Sequence, residues 1–421
     1  MILFLYHCAW TLIVLLGLPV FSVIKNRRFF QRVFLKFPAR APRGRSIWVH
    51  ALSVGEVTSA IPLIKVLKFQ FPQKDIVFTV TTRQGMEIAR REIGGEAGFI
   101  LQMPVDFWWS INKLIQYINP DLFILVETDI WPGLITLLKK KDIKTVLING
   151  RISPRTLRSY KKFRFFIRRL FDAFELCMMQ TDLDRKRLQS IGVAPEKVQT
   201  TGNIKFDMDR RPMNDKEHQG LLKALHIESR DAVWVAGSTH EGEEKIILEV
   251  YKKLRPICSP LRLIIAPRNI DRADDVKSLC LGMGFKALLK TDLNRDGMLY
   301  DVLVLNTIGE LGRIYGIGKV SFVGGSLVPQ GGHNLLEPAG FGHPVLFGPH
   351  MDDFVLMSQL LIESGGGQMV ADSSELFVAM KRLLTDPVRC DNMGGKASGY
   401  VDMNKGALKR VVSLLGIYLG T

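Results

Sequence analysis

The chain has 421 residues, 47% of them hydrophobic, and a formal net charge of +16. That length exceeds what one hydrophobic core usually supports, so two domains are expected, with ample apolar content for packed α/β layers. The cysteines Cys8, Cys177, Cys258, Cys280 and Cys390 are scattered without a C-x-x-C, which argues against a disulfide framework or a structural zinc site and fits reduced thiols.

Residues 2–24 contain no Asp, Glu, Lys or Arg and are rich in Leu, Val and Ile. About 20 apolar residues suffice to cross a bilayer. Lys25, Arg27, Arg28 and Arg32 follow, and no basic residue precedes, so the segment is a poor signal peptide. Residues 1–24 therefore read as a retained membrane anchor, with the body of the chain on the positive, cytoplasmic side. A buried core helix is the plainer alternative. A second basic block, Arg151 to Arg169, interleaves cations with Phe163, Phe165 and Phe166. Basic residues mixed with aromatics suit an anionic membrane surface, and the neighbouring apolar segment favours that over nucleic acid.

Beyond the anchor, strands are expected at 47–50, 76–81, 99–102, 122–127, 145–149 and 176–180, then at 233–236, 261–266, 302–305, 320–323 and 344–347. Helical stretches such as 57–69, 84–92 and 241–254 lie between them. Strand–helix alternation implies an α/β fold of parallel sheets with helices on both faces. The polar stretch 207–215 reads as a linker between a domain at 25–206 and a second at 216–421. Ligands in such sheets bind beyond the carboxyl ends of strands, and two such domains facing one another make a cleft.

Polar residues at those strand ends are the candidates. After the first strand, Ser53 and Glu56 form an S-x-x-E capping box, which needs no function. The same Glu56, at a helix start where the terminus keeps a carboxylate ionised, can take a proton from a hydroxyl. Glu127 stands at the tip of the fourth strand, ahead of Asp129 and Trp131; Asp129 can be read as a cap for the next helix. Lys205 lies near the linker, where it either meets a phosphate or developing negative charge or is simply solvated. In the second half, the amides of 236–243 are placed to receive a phosphate. Arg268 after Pro267 is a natural phosphate partner, and Gly309 can bring backbone close to a ligand. A long glycine-rich run, Gly324 to Gly332, leads into His333, Asn334, Leu335, Leu336 and Glu337. Asn334 and Glu337 are spaced to share one helical face and grip a nucleotide's ribose. The histidines form no metal-ligating cluster, and neither a Walker lysine loop nor a dinucleotide fingerprint is present, so no metal and no cofactor is expected.

H-A-L-S-V-G-E from His50, E-T-D-I-W-P from Glu127, N-G-R-I-S from Asn149, G-N-I-K-F-D from Gly202, A-G-S-T-H-E-G-E-E from Ala236, the Pro267–Arg268 turn, G-E-L from Gly309 and the glycine motif running to Ala339 occur in that order. Together they resemble the lipid A Kdo transferase (3-deoxy-D-manno-octulosonic acid transferase) family over essentially the whole length. The resemblance implies a GT-B glycosyltransferase: two Rossmann-like domains facing a central cleft, an N-terminal anchor helix, CMP-Kdo as donor, lipid IVA as acceptor, inversion at the anomeric carbon and no catalytic metal. It casts Glu56 as general base, with Glu127 and Lys205 stabilising the transition state. It assigns CMP contacts to Pro267, Arg268, Gly309, Glu310, Leu311, Asn334, Leu335, Leu336 and Glu337. The family pattern E-T-E-x-W-P-N differs here at Asp129 and Gly133. Rival readings are a UDP-sugar-dependent GT-B transferase acting on another membrane lipid, and a non-enzymatic polyanion binder.

Overall fold

The structure, a computed structural model, describes residues 2–23, 27–207, 213–293 and 299–420. The chain divides into two compact units, Met1–Met208 with Lys405–Thr421, and Asp209–Asn404.

Among the described residues the first unit holds a seven-stranded parallel sheet: β1 (Ser46–Ala51), β2 (Ile76–Val80), β3 (Phe99–Gln102), β4 (Pro120–Val126), β5 (Lys144–Gly150), β6 (Leu176–Met179) and β7 (Val198–Thr200). Their order is β3-β2-β1-β4-β5-β6-β7, so the direction of winding reverses between β1 and β4. Alternate β1 residues serve opposite faces. Ile47, Val49 and Ala51 join the core beneath the helix Val54–Gln70, while Trp48 packs edge-on to Phe123 of β4 at 4.6 Å on the other face. Burial on both faces explains why the strands read as unbroken apolar runs.

The second unit repeats the plan with β8 (Ala232–Thr239), β9 (Leu261–Pro267), β10 (Ala287–Leu289), β11 (Val302–Val304), β12 (Val320–Val323), β13 (Val345–Phe347) and β14 (Gly367–Met369), ordered β10-β11-β9-β8-β12-β13-β14. Trp234 and Ala236 face one core and Val233 and Val235 the other. Here the reversal lies between β8 and β12.

The eleven strands expected from the sequence are all present, most ending within two residues of the expected positions. Beyond these eleven stand β7, β10 and β14; each is a three-residue edge strand, too short to carry a pattern. The second domain does not run from 216 to the end of the chain as expected. Lys405–Thr421 belong to the first unit. Their helix, Ala407–Leu419, buries Ala407, Val411, Val412 and Leu415 in the core under Val54–Gln70, and Asp207 caps it by accepting from the amides of Gly406 (2.5 Å) and Leu408 (2.7 Å). Of the expected linker 207–215, residues 208–212 lie outside the described residues.

The apolar N-terminus forms the helix Ile2–Val23, yet among the described residues no helix is long and apolar enough to cross a membrane, so the expected spanning anchor is not supported. The helix lies against the first unit instead. Val14 is buried with Val33, Val105 and Phe107, and Tyr6 donates to Asp106 at 2.6 Å. Its other side leaves Leu12, Ile13, Leu15 and Leu16 exposed. Of the basic run that follows, Lys25, Arg27 and Arg28 have no described side chains. Arg32 is turned inward, donating to the carbonyls of Met103 and Pro104 and lying 6.0 Å from the Trp131 ring.

Candidate active site

In the first unit the site sits where the winding reverses, a crevice that open α/β sheets use for ligands. β1 delivers Glu56 on the first turn of Val54–Gln70, and β4 delivers Glu127 one residue beyond its end. The capping reading of Glu56 holds in half: Ser53 Oγ accepts from the Glu56 amide at 3.3 Å and donates to Oε1 at 3.1 Å, but Oε2 accepts from the Leu52 amide at 2.6 Å rather than from that of Ser53. The expectation that the helix terminus keeps Glu56 ionised fails. Burial, then the Glu127 charge, push its carboxyl up to about 7, against the smaller opposing effect of the Leu52 and Ser53 hydrogen bonds. Only 7% of the residue is exposed. Such a carboxyl is half ionised near neutrality and poised to exchange a proton there.

Glu127 is held in the left-handed region at φ +61°, uncommon for a residue with a side chain. Its Oε1 accepts from Lys205 Nζ at 2.7 Å and from Asn149 Nδ2 at 3.4 Å. Lys205 is thus no solvated linker lysine. It sits on the 3₁₀ turn Ile204–Asp207, whose Asp207 caps the C-terminal helix. Asn149, at the end of β5 with φ +55° and fully buried, also accepts from the Ile204 amide at 3.1 Å. Sequence reasoning placed Asn149 at a strand end and at the head of N-G-R-I-S but gave it no role; an asparagine closing an apolar run was the available signal. His50 of β1 is buried and neutral, its pKa lowered to about 4 chiefly by burial, with Nδ1 on Thr79 and its ring edge-on to Trp131.

Asp129 does not cap the next helix. Its Oδ2 accepts the Trp131 indole N–H at 2.6 Å. The cap of Pro132–Lys140 is Asp106, whose two oxygens accept from the amides of Gly133 and Leu134, each at 2.8 Å. A Cβ on Gly133 would stand 2.7 Å from Asp106 Oδ1. Gly133 is therefore matched to Asp106, which sequence reasoning missed because 27 residues separate the partners.

In the second unit the corresponding crevice lies between the ends of β8 and β12. The amides expected to receive a phosphate are partly occupied. The buried Glu243 carboxylate accepts from the amides of His240 (2.9 Å), Gly325 (2.7 Å), Ser326 (3.0 Å) and Leu327 (2.8 Å), pinning the glycine-rich loop to the turn after β8. Pro267 ends β9, and Arg268 is exposed just beyond it, its amide bonded to the Thr239 carbonyl at 2.9 Å. Gly309 takes φ +86°. Glu310 accepts from Lys290 at 2.9 Å and from Thr307; these bonds outweigh the burial that opposes them and hold its carboxyl below the usual range. Leu311 opens a short helix.

Asn334 and Glu337 do not share a helical face. The helix spans only Leu336–Ala339, and Asn334 lies before it, its Oδ1 accepting from the Leu336 amide at 3.1 Å. Pro338 inside the motif allows no longer helix to run through it. Glu337 is half-buried on that helix, while Leu335 and Leu336 are buried in the unit, so only their backbone is open to a ligand. Among the described residues no group of three or more His, Cys, Asp or Glu could hold a metal ion.

A family profile described as 3-Deoxy-D-manno-octulosonic-acid transferase (kdotransferase) matches residues 27–208. The 3-deoxy-D-manno-octulosonic acid transferase of Haemophilus influenzae is 33% identical over 403 residues, covering 94% of this chain and 93% of its own. The protein of the same description from Rickettsia bellii is 28% identical, over 89% and 86% of the two chains. Among solved structures a glycosyltransferase from Rickettsia africae, 13% identical, matches with a TM-score of 0.60 over 90% of this chain and 100% of its own, a likeness of fold alone. With a relative this similar across nearly its whole length, the chain belongs to the 3-deoxy-D-manno-octulosonic acid transferase family of glycosyltransferases.

Proposed function

We propose that this protein transfers Kdo from CMP-Kdo to lipid IVA in lipopolysaccharide core biosynthesis, inverting the anomeric centre, with Glu56 as general base. The observation that carries the reading is the buried Glu56 carboxyl beside Glu127, held at about 7 where the sheet winding reverses. Glu56 accepts the proton of an acceptor sugar hydroxyl. The freed oxygen bonds to the anomeric carbon of Kdo as the bond from that carbon to the phosphate oxygen breaks, and the electron pair leaves with CMP. Lys205, held by Glu127, supplies positive charge to the developing anionic centre, and Glu127 keeps the ammonium in place. In the second unit Arg268 pairs with the phosphate, and Pro267, the backbone of Gly309, Glu310 and Leu311, and the segment Asn334–Leu335–Leu336–Glu337 cradle the nucleoside.

The acceptor is drawn from the cytoplasmic face of the inner membrane. The exposed Leu12, Ile13, Leu15 and Leu16 face of the N-terminal helix supports a helix lying in the interface, and the exposed Phe163 and Phe165 among arginines and lysines support contact with anionic lipid. Mass spectrometry of lipid IVA incubated with the protein and a CMP-Kdo-generating system tests the reading. Mass increments of Kdo with release of CMP are expected, and their number counts the sugars added. Sugar transfer that requires a UDP-sugar and leaves CMP-Kdo intact would overturn it in favour of the rival transferase.

A further inference from the structure

Two histidines 93 positions apart in the chain meet at the crevice of the second unit. His240 follows β8, and His333 lies in the glycine-rich segment after β12. Their rings stack with centroids 5.1 Å apart and planes 12° from parallel, and their Nε2 atoms are 2.9 Å apart. Two imidazole nitrogens at that distance require one proton between them, with one ring donating and the other accepting. Gly325, at φ +68°, passes so close that a Cβ there would lie 3.1 Å from the His333 ring and 3.3 Å from that of His240. The glycine loop, itself fixed by Glu243, therefore seats the pair.

The charges around the pair are unequal. His240 is affected by burial, by Glu243 and Glu244 on the helix that follows it, and by Arg268 and Arg272 beyond β9; burial and the arginines prevail and its pKa is lowered. His333 is pushed further, to about 3, by burial, Arg268 and His240. Asp353 and His350 pack against the adjoining Gly331 and Gly332. Burial is the largest of these effects on His240, and an anion at Arg268 would offset the arginine potential that adds to it, whereas His333, pushed lower, stays neutral.

We propose that His240 and His333 form a one-proton cradle for the phosphoryl group of the nucleotide: His240 takes up a proton from solvent as the phosphate binds, and His333 remains its neutral acceptor. This rests on the reading that the second unit holds the nucleotide. A phosphomonoester product carries more negative charge than the phosphodiester donor, so the cradle grips the leaving nucleotide more firmly than the intact donor and favours cleavage of the bond to the sugar.

The test is calorimetry of CMP and of cytidine binding to the full-length protein at pH 8, in buffers of different ionisation enthalpy. CMP arrives there as a dianion, since its second phosphate pKa is about 6. CMP binding should take up a substantial fraction of one proton and cytidine binding none. In His240→Gln and His333→Gln, with folding checked by circular dichroism, the uptake should vanish and CMP affinity fall about tenfold, the effect of one favourable charge. CMP binding without uptake in the wild-type protein, or uptake unchanged in both variants, overturns the cradle and leaves the nucleotide reading standing. Absence of CMP binding by the wild-type protein overturns both.

Discussion

Replacing Glu56 by Gln should make the fold more stable at alkaline pH while removing its chemistry. The climb of the Glu56 carboxyl from its ordinary 4.5 to about 7 corresponds to about 3 kcal/mol at ~1.4 kcal/mol per pKa unit. The sign follows from linkage. The folded-state pKa lies above the unfolded one, so the contribution is fully present below pH 4.5 and is lost as pH rises through about 7. Glutamine keeps the local cap, because its carbonyl oxygen can still accept from the Leu52 amide, but it has no charge to bury. Urea denaturation followed by tryptophan fluorescence, run on both proteins at pH 5 and pH 8, reads the difference. The variant should gain about 2–3 kcal/mol relative to wild type between the two conditions. An identical stability difference at both pH values would refute the claim that burial raises this carboxyl to about 7.

Glu127→Gln removes the charge that ranks second among the causes raising Glu56. The acid limb of the kcat/KM profile should then move down from near pH 7 by about one pH unit, a displacement that can be read however far the rate itself falls. Gly133→Asn forces a Cβ to within 2.7 Å of Asp106 Oδ1 and disturbs the cap of Pro132–Lys140. It should lower stability by about 1–3 kcal/mol in thermal or urea unfolding, and Asp106→Ala in the same background should not add the full cost of its own single change. Glu243→Gln gives up a carboxylate oxygen that amides of the glycine loop need. It should raise KM for the donor several-fold with a smaller effect on affinity for the lipid acceptor, measured by initial rates.

Much of this was legible along the chain because parallel strands buried on both faces write themselves as apolar runs, and whatever polar residue follows such a run stands at the ligand-binding edge. Glu56, Glu127 and Arg268 were singled out that way, and each lies beyond a strand end as expected. What escaped notice depends on distant partners. Glu243 stood in the sequence only as the end of the turn 236–243, yet its carboxylate serves amides more than eighty residues away. The His240–His333 contact and the Asp106–Gly133 match have no local signature. The C-terminal helix returns to the first unit because its apolar face fits the core beneath Val54–Gln70, something no boundary in the sequence announces. Asn334 and Glu337 were misplaced on one helical face because the i, i+3 spacing was read without allowing for Pro338, and the ionised state assigned to Glu56 weighed the helix terminus but not burial.

The most direct test of the central claim is single-turnover transfer of Kdo to lipid IVA by Glu56→Gln, with CMP binding measured on the same preparation. A general base held where Glu56 sits implies a loss of roughly 10²-fold or more in the transfer step with CMP affinity intact. Transfer at a rate close to wild type in a variant that binds CMP normally would contradict it.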